Sequence, residues 1–317
     1  MKKIIPLLFL IILFSCDSNF DLDTGVRQEY TFDEDGDPVI EDVEENDDHQ
    51  LGIGGGYCYG YSEPDAEIAV FNIDDTEALP NEYDISEFLP KVGSQGNQGS
   101  CVAWATGYYL KSYQENYESV QNGIFNSNFE MSPAYIYNQI KAAGCDEGSA
   151  IQDALDTISS QGIVELAIMP YDQNDCDTQP NNLQKVLAEP NKIEKYFYFH
   201  QDSVYQHTKA ALLRDQPVVI AITIDRNYFG ARDENGLYIY RKFKDPVGGH
   251  AMLVVGYSDD MNAFKVVNSW GSGWGNEGFV WIDYKAFKEA GDLEGEFPVL
   301  CEAWITDDII ITQPASL

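Results

Sequence analysis

The chain predicts an α+β fold of two lobes, mainly helical over residues 81–190 and mainly β over residues 191–312. Apolar and aromatic side chains at helical spacing between Cys101 and Ser160 predict the first lobe. From Pro217 onward, β-branched and aromatic runs punctuated by Gly, Asn and Asp predict the second, as an antiparallel barrel. The 317 residues are 44% hydrophobic, enough apolar surface for a substantial core.

The N-terminus reads as an export signal. Met1-Lys2-Lys3 is basic, Ile4 to Phe14 is apolar but too short to span a bilayer, and Leu13-Phe14-Ser15-Cys16 resembles the cleavage box of bacterial lipoproteins. Residues 1–15 are therefore expected to be a signal peptide and Cys16 a lipidation site. The mature chain would sit in the bacterial cell envelope, lipid-anchored to a membrane and either periplasmic or surface-exposed.

Residues 16–80 are rich in Asp and Glu and are expected to form a largely disordered tether. Asp33, Asp35, Asp37 and Glu44 faintly resemble a calcium loop, but Pro38 stands where such a loop needs glycine, so the stretch reads as a solvated linker. The aromatic and glycine-rich stretch from Gly52 to Tyr61, which includes Cys58, is the part of the tether expected to pack.

The helical lobe is built from three stretches. A helix opens at about Cys101, with Ser100 as its expected cap, and runs through Tyr108 and Tyr113 toward Tyr117. Ser132-Pro133 starts a second that extends to Ile140, and Ile151 to Ser160 forms a third. The β lobe takes Pro217–Ile222, the region of Tyr238, Met252–Val255, Phe264–Val267, Phe279–Ile282 and Ala303–Ile311.

One segment concentrates chemistry. In Gln95-Gly96-Asn97-Gln98-Gly99-Ser100-Cys101, a turn delivers a cysteine to a helix start, where unpaired amides and the positive end of the macrodipole favour a thiolate. A thiolate nucleophile needs a base, and the chain has His49, His200, His207 and His250. His250 follows a Gly-Gly turn and lies 149 residues past Cys101 (250 − 101); Asn268, placed to orient an imidazole, follows 18 residues later (268 − 250) in Asn268-Ser269-Trp270.

The ordered set Gln95, Cys101, His250 and Asn268-Ser269-Trp270 resembles the papain-like cysteine peptidases, in which histidine and asparagine lie roughly 130–150 residues beyond the cysteine. The resemblance covers about residues 83 to 310. It implies a two-lobed papain-like fold with the nucleophile and base facing each other across a cleft. It also implies Cys101 as nucleophile, His250 as base and acid, Asn268 as the residue orienting His250, and Gln95 as an oxyanion donor beside the Cys101 N–H. Gly148, Ala251 and Trp270 would stand at the substrate side: Gly148 pairing with extended substrate backbone, Ala251 and the segment after Trp281 bordering a side-chain pocket, and Trp270 shielding the Asn268–His250 contact. The acidic loop Asp292 to Pro298 would shape that pocket.

Three positions depart from the family pattern: Gln98 replaces a disulfide cysteine, Val102 an aromatic, and Gly249 a residue that is acidic in plant members. Cys145-Asp146-Glu147-Gly148 resembles the family segment that supplies the partner of the missing cysteine, and Cys176 resembles a second family cysteine. Setting aside Cys16 and Cys101 leaves an even four in an exported chain, which suggests disulfides; the resemblance implies Cys145–Cys176, and the remaining pair, Cys58–Cys301, is expected as the second. Asp17 to Asn81 lacks the long amphipathic helix of family prosegments.

The expected reaction is hydrolysis of peptide bonds through a thioester, with no metal and no cofactor. The same residues would serve a transamidase or cell-wall amide hydrolase, and a cleft that only bound peptides would keep the fold without the chemistry. With 19 basic against 53 acidic residues, nucleic acid is not an expected partner; peptide or protein substrates and a lipid anchor are, with the chain as a monomer.

Overall fold

The computed structural model describes residues 20–21, 26–32, 38–43, 66–69, 79–124, 128–232, 235–244, 246–288 and 299–308. Cys16, Cys58, the Asp33–Asp37 stretch with Glu44, the Gly52 to Tyr61 stretch and the Asp292 to Pro298 loop lie outside them. The chain divides into two compact units, residues 1–48 and 49–317.

The first unit differs from the expected unstructured tether. Strands β1 (Phe20–Asp21), β2 (Val26–Phe32) and β3 (Pro38–Val43) pair antiparallel in that order, with Tyr30 opposite Ile40 and Thr31 opposite Val39. Acidic composition argued for solvation, but the β-branched and aromatic residues of these two stretches favour a ladder.

In the second unit the chain first adds a short edge to the sheet. Ile68 bridges Tyr198, and β4 (Glu82–Asp84) pairs with the strand that carries His250, so residues from the tether's end onward are part of the folded unit. The central helix follows in three continuous segments: α1 (Cys101–Ala103), a widened π-type stretch (Trp104–Lys111) and α2 (Ser112–Gln121). Every residue from Cys101 to Gln114 is buried, which an apolar helix tolerates on all faces only inside a core. The buried lysine there, Lys111, is neutralised by Glu115 and by Asp308, both at 2.7 Å. Such a pair holds only while both partners are present.

Helix α3 (Pro133–Ile140) begins as its sequence requires: Ser132 Oγ accepts the Tyr135 N–H at 3.1 Å and Pro133 fills the first turn. Helix α4 (Ile151–Gln161) ends at Gly162, whose φ of 81° suits glycine alone. A short helix α5 (Asn182–Ala188), not anticipated from the sequence, is set by a capping box between Asn181 and Gln184. The disulfide Cys145–Cys176 ties the loop after α3 to the loop before α5. At a sequence separation of 31 residues it restricts the unfolded chain by about 3–4 kcal/mol.

The remaining strands are β5 (Ile193–Tyr198), β6 (Val218–Asp225), β7 (Ile239–Tyr240), β8 (Pro246–Ser258), β9 (Ala263–Val267), β10 (Phe279–Asp283) and β11 (Leu300–Asp308). They pair in the order β5-β11-β6-β8-β9-β10-β7 with β4 on β8. Every junction is antiparallel except the two-residue pair of β10 with β7, which is parallel, so the lobe is the expected mainly antiparallel sheet with one parallel pair at its edge. Parallel pairing arises because the chain reaches β10 from β9 and not directly from β7. The central strands β6 and β8 are almost continuously buried and place His250, opposite Ile222, beside the core.

Candidate active site

The helix start is held differently from the sequence expectation. Ser100 makes no side-chain cap; its hydroxyl lies 2.7 Å from the Tyr171 hydroxyl, which donates to the Gln95 carbonyl at 2.8 Å. Since the single tyrosine proton goes to Gln95, Ser100 is the donor to Tyr171. The Ser100 carbonyl accepts the Trp104 N–H, which closes the first helical turn, while the Ser100 side chain caps none of the turn's amides. Their partial positive charge therefore remains at Cys101. Cys101 is buried at 3% exposure and belongs to no disulfide.

Close approach shapes the turn before it. A Cβ on Gly99 would stand 2.5 Å from the Glu147 carbonyl oxygen, and the Gly99 N–H donates to the Cys145 carbonyl at 2.8 Å. Only glycine lets the disulfide-bound 145–148 loop pack against the nucleophile turn. Gln98 replaces the covalent tie seen in the family pattern: its side-chain amide donates to the Asp172 and Gln173 carbonyls at 3.4 and 3.3 Å.

Gln95 is fully buried and its amide is fixed at both ends. The Ser269 hydroxyl donates to Oε1 at 2.5 Å, and Nε2 donates to the Gln98 carbonyl at 2.9 Å. One Nε2 proton is thus placed by the loop, which fixes the orientation of the whole amide. Backbone bonds from Gln95 N to the Ser269 carbonyl (2.8 Å) and from Gly271 N to the Gly93 carbonyl (3.0 Å) lock this loop to the Asn268 segment.

Asn268 immediately follows β9, and its Oδ1 accepts from the Ser269 N–H at 2.8 Å and lies 2.7 Å from His250 Nε2. A backbone N–H can only donate, so that atom is the amide oxygen, and the nitrogen facing it must carry the proton. His250 is thereby held as the Nε2–H tautomer, and its Nδ1, buried with no hydrogen-bond partner among the described residues, presents a lone pair. Trp270 covers the ring, with centroids 4.8 Å apart, and itself stacks on Phe229 at 5.5 Å. Burial pushes the His250 pKa down to about 4, against the opposing effect of the Asn268 hydrogen bond.

Cys101, His250, Gly148 and Ala251 line one cavity of about 460 Å³, together with Val102, Ala221 and Glu302. The structure thus brings the proposed nucleophile and base to a common space beside the loop that holds Gln95. Trp270 is absent from the cavity wall: it covers the face of His250. The described residues after Trp281, 282–288, are absent from the wall too, and Ala221 and Glu302, from strands β6 and β11, stand there instead. Cys301 also lines the cavity and is disulfide-bonded, though its expected partner Cys58 lies outside the described residues. Tyr109 is a further residue the sequence did not single out. Its hydroxyl donates to the Asn268 carbonyl at 2.8 Å and accepts from Gly93 N–H at 3.1 Å, joining the central helix to both loops. Its helical position marked it only as core.

The arrangement can take a proton from sulfur at Nδ1, bind a negative oxygen at the helix start and Gln95, and return the proton to a leaving group. With Cys101→Ala, where no thiolate can form, His250 should titrate near the low value that burial imposes, about 4. The unfolded chain then binds a proton near pH 6.5 that the fold refuses, so stability is complete above about pH 6.5 and falls by about 3 kcal/mol as pH drops toward 4. Histidine NMR titration and chemical denaturation across pH 4–8 check this; a titration near 6.5 would contradict it.

Comparison with known proteins agrees with this geometry. An uncharacterised peptidase C1-like protein of Acanthamoeba polyphaga mimivirus is 27% identical over 68% of this chain and 70% of its own length. Ananain of Ananas comosus is 24% identical over 67% of this chain and 58% of its own, and cathepsin J of Mus musculus 26% over 64% and 60%, so the match spans less than two thirds of these two. The crystal structure of xylellain, a cysteine protease from Xylella fastidiosa, superimposes with a TM-score of 0.65 at 22% identity, covering 84% of this chain and 99% of that one. Residues 79–294, which hold the Gln95 loop, Cys101, His250 and Asn268, match the family model described as papain family cysteine protease, and the chain belongs to that family.

Proposed function

We propose that the protein is a lipid-anchored cysteine peptidase of a bacterial cell envelope that hydrolyses peptide bonds through a thioester on Cys101. The observation that carries the chemistry is the buried Nδ1 of His250, without a partner among the described residues, on a ring fixed by Asn268 and lining the same cavity as Cys101. A buried polar atom with no partner costs roughly 1–3 kcal/mol, a cost that catalysis offsets if the atom is reserved for the thiol proton.

Nδ1 first takes the proton from the Cys101 thiol, the thiolate–imidazolium pair is steadied by the helix start, and the thiolate then attacks the scissile carbonyl. The carbonyl oxygen, now negative, meets the Cys101 N–H and the Gln95 side-chain amide. Protonated His250 then passes its proton to the departing amine. Water, deprotonated by the neutral imidazole, cleaves the thioester and releases the new carboxylate.

The anchor rests on the N-terminal pattern, with the basic start, the apolar run and Cys16. Among the described residues no helix is long and apolar enough to cross a membrane.

Turnover of a peptide library should vanish with Cys101→Ala, and kcat should fall about 10²–10³-fold with Gln95→Ala. Equal cutting by wild type and Cys101→Ala would end the proposal, and cleavage of cell-wall fragments but no peptide would move it to amide hydrolysis. Cys16→Ser should transfer the protein from the membrane pellet to the soluble fraction of expressing cells; unchanged fractionation would refute the anchor.

A further inference from the structure

The loop that brings Gly148 to the reactive cavity has little of its own to hold it. Residues 141–150 form no helix or strand, and Ala142, Ala143, Gly144, Gly148, Ser149 and Ala150 have no large side chain to pack. Glu147 and Gly148 nevertheless line the cavity with Cys101 and His250. A buried side chain supplies the hold. Tyr137, in the last turn of α3 and fully buried, puts its hydroxyl 2.6 Å from the Glu147 carbonyl oxygen, 2.9 Å from that of Cys145 and 3.4 Å from that of Gly144.

A tyrosine hydroxyl has one proton for these three acceptors, and the backbone decides which takes it. The Cys145 carbonyl already accepts the Gly99 N–H at 2.8 Å, and the Gly144 carbonyl accepts the Glu147 N–H at 3.3 Å. The Glu147 carbonyl accepts from no backbone N–H among the described residues, and it is the nearest of the three to the hydroxyl. Burial pushes the Tyr137 pKa up, with the charges of Tyr171 and Cys101 acting the same way, so the hydroxyl stays protonated and remains a donor through neutral pH.

That one bond sets a peptide plane. The Glu147 C=O and the Gly148 N–H belong to the same peptide unit, and in a planar trans peptide they point in opposite directions. With the carbonyl drawn to the buried Tyr137 hydroxyl, the Gly148 N–H is turned the other way, toward the cavity that Gly148 lines. The next plane is pinned as well, since the Gly148 carbonyl accepts the Ala142 N–H at 3.2 Å. Glycine has no side chain to resist rotation of the unit, so without the tyrosine proton the carbonyl is free to exchange places with the N–H.

We propose that Tyr137 is a positioning residue for substrate binding: its hydroxyl holds the Glu147–Gly148 peptide so that the Gly148 N–H faces the cavity and donates to the backbone of an extended substrate, upstream of the residue at the cut. This deepens the peptidase reading and rests on it. The adjacent Asn138 provides a contrast. It is buried too, and its side-chain amide donates to the Thr178 carbonyl at 2.8 Å, holding the loop of Cys176 at the other end of the disulfide. Neither Cys176 nor Thr178 lines the cavity.

The test compares two substrates that share a residue at the cut and a leaving group: one blocked directly on that residue, too short to reach Gly148, and one extended upstream by two residues. Each is read as kcat and KM for wild type, Tyr137→Phe and Asn138→Ala. Tyr137→Phe keeps the ring and its packing. It should lower kcat/KM about tenfold more for the extended substrate than for the short one, mainly through KM, because pairing with Gly148 is made in the bound complex and in the transition state alike. Asn138→Ala should lower the melting temperature while the ratio of the two substrates stays within about twofold of wild type. An unchanged ratio in Tyr137→Phe, or the same shift of the ratio in Asn138→Ala, overturns the assignment and leaves the peptidase reading intact. A wild type that cuts neither substrate overturns both.

Discussion

Everything at the centre of this molecule depends on the hydrogen bond from His250 Nε2–H to Asn268 Oδ1. It is short, at 2.7 Å, buried, and shielded by the Trp270 ring. Because the asparagine oxygen also accepts the Ser269 N–H, its amide cannot flip without losing a backbone partner. The imidazole tautomer is therefore settled by local backbone geometry before any substrate arrives, and Nδ1 is left as the atom able to take a proton. The same short segment also sets the oxyanion loop, since Ser269 fixes Gln95 through a hydroxyl and a backbone carbonyl. One loop thus orients the base with Asn268 and the oxyanion donor with Ser269.

Keeping that loop in register with Cys101 is a matter of packing between the helix and the sheet. Tyr109, two turns along the central helix from the nucleophile, donates to the Asn268 carbonyl. Lys111, one turn from the buried tyrosines, pairs with Asp308 at the end of β11. Burial strengthens both contacts electrostatically and makes each costly to break. The 145–148 loop closes the other side, pressed against Gly99 and pinned by the Cys145–Cys176 disulfide. Gln98 shows how a covalent tie can be exchanged for amide hydrogen bonds when another cysteine pair takes over the loop.

The reactive residues were legible in sequence because each sits at a position with a local signature: a glycine-serine turn into a helix, a Gly-Gly turn into a buried strand, a strand end followed by Ser-Trp. The helices at Pro133–Ile140 and Ile151–Gln161 were legible for the same reason, through a Ser-Pro start and helical periodicity. Contacts between distant segments were not. Ser100 looks like a cap in sequence, but Tyr171, 71 residues away, claims its hydroxyl. Glu302 looks like one polar residue in a strand, and only the β11-β6-β8 register reveals that it faces the reactive cavity. The strands in the acidic N-terminal unit were masked by composition, since charge counting does not register a ladder between two alternating stretches.

The central claim is that Cys101 and His250 act as a coupled pair. It is tested most directly by the pH dependence of Cys101 alkylation in wild type and His250→Ala, with the labelled residue identified by peptide mass. If His250 accepts the thiol proton, wild-type Cys101 reacts readily in mildly acidic solution and His250→Ala shifts the whole profile toward alkaline pH, where an unassisted thiol ionises near 8.5. Superimposable profiles for the two proteins would contradict the account.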